Sequence, residues 1–198
     1  INLGNAISDT GMTASLIRTS NVDSKDYSTV FFTNLGISII IYLLLFLIAN
    51  TIAQYYNQPE LENYIKVYSL SFVISSFSII QNTIYTKELN FKIPALINVF
   101  GTIVGILVAI YLTNNNYGPW SVIYMYIVSQ VSSSLLFWSI SKWKPKFEFS
   151  KSKFQYHFHF GYKLLVSSII NVFFSNIYNL VIGKIFPIKT LGYYDRAN

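Results

Sequence analysis

Apolar residues in this chain come in long unbroken runs rather than at the spacing of an amphipathic helix or strand. Between Lys92 and Lys142 there is no Asp, Glu, Lys or Arg, and the run is broken only by the polar turn Asn114-Asn115-Asn116-Tyr117-Gly118-Pro119. A helix rises about 1.5 Å per residue and roughly 20 residues cross a hydrocarbon core. The stretch is too long for one crossing and suits two, so it predicts a membrane hairpin. Three more charge-free stretches, 27–59, 67–86 and 164–183, are each long enough to span. The segment Ile37-Ser38-Ile39-Ile40-Ile41-Tyr42-Leu43-Leu44-Leu45-Phe46-Leu47-Ile48 is apolar on every face, where a soluble helix would carry an outer polar stripe.

These runs predict an all-α, polytopic transmembrane helix bundle. Five crossings are expected, over 27–52, 61–85, 91–112, 117–138 and 162–186, with 1–17 as the tail of a preceding span. Only 11% of residues are charged, which excludes an ordinary soluble domain of this length. The chain starts at Ile1 and is expected to be a fragment, so the lack of a signal peptide is uninformative. Cysteine is absent, which removes disulfide and thiolate-metal readings.

Charge then orients the bundle. Arg18 and Lys25 precede the first full crossing, Lys87 and Lys92 follow the second, and Lys142, Lys144, Lys146, Lys151, Lys153 and Lys163 follow the fourth. The intervening turns carry no cation, and the first holds Glu60 and Glu62. Short loops rich in Lys and Arg stay cytoplasmic, so the basic side is assigned inward. Lys184, Lys189 and Arg196 fall on the other side and break the alternation. Pro59 and Pro119 suit first helical turns, and Trp120 and Trp138 are expected at opposite headgroup levels of one span.

Gly101, Gly105 and Ala109 at four-residue spacing mark a helix-packing face. The aromatic and cationic stretch around Lys144, Lys146, Lys151 and Lys153 reads as a linker held to anionic headgroups, not as a nucleic-acid groove. His157 and His159 alternate with aromatics there and are expected to be headgroup anchors. Polar groups inside spans carry more information, because lipid offers them no partner. Asp9 either caps a broken helix beside Gly11 or serves as a cation, proton or polar-substrate site. Gln81, Asn82, Asn98, Gln130, Asn171, Asn176 and Asn179 either bond between helices or line a hydrated cavity for a hydroxyl-rich ligand such as a sugar. No nucleophile elbow, metal-ligand spacing, phosphate loop or dinucleotide fingerprint occurs. No catalytic residue, metal or cofactor is expected.

The succession Asp9-Thr10-Gly11-Met12-Thr13-Ala14-Ser15-Leu16-Ile17-Arg18, Ser28-Thr29-Val30-Phe31, Glu60-Leu61, Lys87-Glu88-Leu89-Asn90-Phe91-Lys92, Asn179-Leu180-Val181-Ile182-Gly183-Lys184 and Leu191-Gly192-Tyr193-Tyr194 resembles the polysaccharide-exporter branch of the multidrug/oligosaccharidyl-lipid/polysaccharide superfamily, the Wzx-type flippases. The resemblance runs in order along essentially the whole chain. It implies two lobes around a central cavity. Residues 1–141 would hold the end of helix two through helix six of the first lobe, 142–160 a cytoplasmic inter-lobe linker, and 161–198 the first helix of the second lobe with the following outer loop. It implies a multi-pass protein of the bacterial inner (plasma) membrane that flips an undecaprenyl-diphosphate-linked oligosaccharide for surface polysaccharide, with the lipid bilayer and polysaccharide polymerase machinery as further partners. By family position Asp9, Arg18 and Asn179 join the candidate cavity residues. Tyr178 stands where relatives often carry an acid, and a tyrosine there suits stacking on a sugar. The alternatives are a small-molecule or drug antiporter of the same superfamily, with an essential buried carboxylate, and a membrane-embedded polysaccharide polymerase, with paired carboxylates in an outer loop.

Overall fold

The computed structural model describes the backbone of residues 11–185 and the side chains of 11–174. Among the described residues every regular element is a helix: α1 (Met12–Arg18), α2 (Ser24–Tyr55), α3 (Glu60–Ser76), α4 (Ile79–Lys87), α5 (Lys92–Asn114), α6 (Trp120–Ile140) and α7 (Lys151–Ile185). Three of them, α2, α5 and α6, are long and apolar enough to cross a membrane, and α3 with α4 forms a fourth candidate bent by 43°. The chain is a multi-pass helical membrane protein. Only 11% of the most apolar window of α2 is buried, so lipid or further helices must surround it.

The crossing expected over 61–85 is one span in sequence but two helices in space. Pro and Gly are absent from the break at Phe77-Ser78. Ser75 and Ser76 donate their hydroxyls to the carbonyls of Phe72 (2.9 Å) and Val73 (2.7 Å), and Ser78 donates to that of Ser75 (3.2 Å). Hydroxyls bonded back onto the preceding turn bend helices. The Phe77 carbonyl, freed by the break, accepts the indole N–H of Trp138 at 2.8 Å. Trp138 therefore pins this bend, beyond the interfacial placement expected of it.

The last helix begins at Lys151, so the linker expected over 142–160 is irregular only as far as Ser150. Over 162–174, α7 is mostly exposed.

Tight turns join α2 to α3 and α5 to α6, with Asn57, Asn116 and Gly118 at positive φ. In the α5/α6 hairpin, Gly101 and Gly105 are buried against α6. A Cβ on Gly101 would meet the Ser133 hydroxyl and lie 2.8 Å from the Ser129 carbonyl. One on Gly105 would meet the Ser129 hydroxyl and lie 2.6 Å from the Met125 carbonyl. Only glycine lets the two backbones come this close. At the basic end Gly11, at φ 70°, packs directly against the Gly161 backbone where α1 meets α7. The core there is Met12, Leu16, Val30, Phe31 and Ile80, flanked by Trp138 and Trp143.

Candidate functional site

The basic end is built around the start of α2. Asp23 and Asp26 form a reciprocal capping box, each carboxylate accepting the other's backbone N–H at 2.9 Å. That arrangement satisfies two orphan donors of the first turn. Asp26 is the only buried carboxylate among the described residues, and it is fully engaged. Lys153 donates to its Oδ2 at 2.7 Å, and the His157 ring nitrogen Nε2 lies 3.1 Å from Oδ1. Lys153 also pairs with Asp23 at 2.9 Å.

Lys153 and His157 lie one turn apart on α7, so one face of that helix docks onto the α2 start. The preceding strand of linker is tied to the same place. The backbone N–H of Lys146 donates to Ser28 Oγ, and that of Ser150 to Thr29 Oγ1, each at 3.1 Å. Trp143 packs edge-on against Tyr27 and Phe31.

These contacts set the electrostatics. Hydrogen bonding from Lys153, helped by the Asp26 backbone N–H, holds the Asp23 carboxyl down to about 2. Burial disfavours the charge on Lys153, but its bonds to Asp26 and Asp23 outweigh that and raise its pKa above the ordinary lysine value.

His157 is completely buried and not a headgroup anchor. Its Nδ1 lies 2.8 Å from the hydroxyl of Ser15 on α1. An unbroken chain, Ser15 to His157 to Asp26 to Lys153, thus joins α1, α7 and α2. Lys87, at the end of α4, closes the arrangement by donating to the carbonyls of Leu16 (2.7 Å) and Thr19.

Beside this network lies a cavity of about 520 Å³. Ser15, Arg18 and Thr19 line it from the end of α1, and Tyr156, His159, Phe160 and Lys163 from α7. The Arg18 guanidinium sits over the Phe160 ring, 4.8 Å from its centroid, which orients the cation without neutralising it. An arginine, a lysine, a histidine, three hydroxyls and aromatic faces make this wall suited to a phosphate ester carrying a polar group.

Of the residues singled out in the sequence, Arg18 lines this cavity and Lys153 faces inward onto the two aspartates. Lys144, Lys146 and Lys151 are exposed, and Lys144 donates to the Trp138 carbonyl and sits over its ring. Gln81 is fully buried, and neither of its amide atoms is hydrogen-bonded to a described residue. Asn82 and Gln130 are half-buried, whereas Asn98 is exposed on α5. Asp9 and the side chains of Asn176, Tyr178 and Asn179 lie outside the described residues. Asp26 and His157 were not anticipated as partners. The acidic pair spaced for a capping box just ahead of an apolar run was the available signal.

A helical, multi-pass membrane bundle with a cationic and aromatic cavity at its basic end is the class these features define. A family model described as "Polysaccharide biosynthesis protein" matches residues 1–198, and the chain belongs to that family. It is 25% identical over 198 residues to the teichuronic acid biosynthesis protein TuaB of Bacillus subtilis (strain 168), covering 96% of this chain and 40% of that protein. It is 26% identical over 201 residues to the lipopolysaccharide biosynthesis protein WzxC of Escherichia coli (strain K12), covering 100% of this chain and 40% of that protein. The succinoglycan biosynthesis transport protein ExoT of Rhizobium meliloti (strain 1021) is 23% identical over 192 residues, covering 97% of this chain and 39% of that protein. The chain thus spans about 40% of the length of these curated relatives. No solved structure matches it.

Proposed function

We propose that the full-length protein flips an undecaprenyl-diphosphate-linked oligosaccharide from the cytoplasmic to the outer leaflet of the bacterial inner membrane, without catalysing a covalent step. The observation that carries this reading is the cavity beside α1 and α7, with Arg18, Lys163 and His159 for a diphosphate and Tyr156 and Phe160 for a sugar face. Diphosphate and sugar hydroxyls do not cross hydrocarbon unaided, so a polar surface must replace their water while the lipid tail stays in the bilayer. The names of the relatives support the assignment, one being a lipopolysaccharide biosynthesis protein and another a succinoglycan biosynthesis transport protein.

In this reading residues 1–141 belong to the first lobe, 142–160 join the lobes on the cytoplasmic side, and 161–198 open the second lobe. Alternating access then moves the second lobe relative to the first. The one buried carboxylate among the described residues, Asp26, is held by Lys153 and His157 and so is not free to serve an antiporter.

Disruption of the full-length gene tests the proposal. Lipid-linked repeats are expected to accumulate on the cytoplasmic face, read by lectin or glycosidase access to oriented vesicles. A normal leaflet distribution with altered drug tolerance would favour the antiporter, and unpolymerised repeats in the outer leaflet would favour a polymerase.

A further inference from the structure

We propose that filling the cavity beside α1 and α7 with a phosphate ester takes up one proton from solution, received by His157. The inference rests on reading that cavity as the headgroup site. Ser15 is the link, since it lines the cavity and also touches His157.

A serine hydroxyl carries a single proton, a carboxylate only accepts, and a neutral imidazole has one donor and one acceptor nitrogen. Asp26 therefore requires the ring proton on Nε2, and Nδ1 accepts the Ser15 O–H. The chain of donors has no proton to spare.

A phosphate oxygen entering beside Arg18 and Lys163 is a further acceptor. When Ser15 turns its proton to that oxygen, two lone pairs face each other, on Ser15 Oγ and His157 Nδ1, only 2.8 Å apart. His157 has no exposure through which water could relieve this. One proton added at Nδ1 resolves the conflict: Nδ1–H donates to Ser15, Ser15 donates to phosphate, and Nε2–H stays on Asp26. No covalent bond between heavy atoms changes, and the proton comes from the buffer.

The charges around the ring accommodate the cation. Asp26 and Asp23 of the α2 start face it with Lys153 of α7, Lys87 and Glu88 stand at the end of α4, and Arg18, Lys163 and His159 face the incoming anion. Binding and proton uptake then favour each other reciprocally, and affinity rises by up to about tenfold per unit fall in pH wherever one proton is taken up per ligand bound.

The test uses full-length protein in nanodiscs, titrated calorimetrically near neutral pH in buffers of different ionisation enthalpy, with farnesyl diphosphate and inorganic diphosphate as probes. Wild type is expected to take up about one proton more per bound probe than Ser15→Ala, and likewise more than His157→Gln. Protonation of the probe and of His159 is common to all and cancels in the difference. Tighter binding of the prenyl form supports a lipid headgroup as the ligand, and binding of inorganic diphosphate alone would overturn that source in favour of a soluble phosphate. Equal proton uptake in wild type and Ser15→Ala, with binding retained, would overturn the inference and leave the site standing. Failure of wild type to bind either probe would overturn the site itself.

Discussion

The α5/α6 hairpin and the basic end of the bundle hold helices together by opposite means. In the hairpin, contact depends on what is missing: Gly101 and Gly105 offer no side chain, so α6 backbone and serine hydroxyls come within the space of a methyl group. At the basic end contact depends on charge, with Asp23, Asp26, Lys153, His157 and Ser15 joined in one network. The difference follows from depth. Within lipid, burial of apolar surface gives helices no preference for one another over the acyl chains, and close packing decides. At the headgroup level charges are tolerated and specific pairs decide. One region is sealed by shape, and the other is joined by bonds that exchange partners.

Asp26→Ala breaks the second region most severely. It removes the Asp26 half of the capping box of α2, leaves Lys153 paired with Asp23 alone, and leaves buried His157 without a carboxylate. The expected loss is about 1.5–3 kcal/mol, the cost of losing hydrogen bonds to a charged group and leaving a buried ring N–H unpaired, read as reduced thermal stability of the full-length protein in detergent. Asp26→Asn should lose less, because the amide oxygen can still accept.

The hairpin is tested by Gly105→Leu, which drives a side chain into the Met125 carbonyl. Overpacking against backbone should cost about 1–3 kcal/mol and lower cysteine cross-linking between α5 and α6, while leaving the basic end protected from protease. If both regions loosen together, they are not independent.

The smallest effect concerns Asp23, whose side chain is 61% exposed. Its carboxyl is lowered from 3.8 to about 2 by Lys153, so its contribution is complete above the ordinary value and fades as pH falls through about 2. Asp23→Asn should flatten that acid limb of the stability curve and leave neutral pH nearly unchanged. An unaltered limb would assign acid sensitivity to other groups.

How much of this was legible in sequence depends on what lipid demands. The apolar runs that became α2, α5 and α6 were readable, because crossing hydrocarbon requires length and composition alone. The bend after Ser76 was not, since a hydropathy sum counts residues without seeing hydroxyls turn back on their own helix. The early start of α7 was hidden because Lys151 and Lys153 look like loop, although Lys153 and His157 already had the spacing of one helical face. The mid-span amides show the same limit: Gln81 is buried and Asn98 exposed, and nothing in either residue's neighbourhood along the chain says which way it turns.

The bend between α3 and α4 has one more implication. A proline kink is written into covalent structure and persists in every conformation, whereas this one is held by three serine hydroxyls and one indole N–H. Each of those is a hydrogen bond and not a covalent constraint. The shape of this crossing is thus a setting and not a scar, and Trp138 is the hand that keeps it.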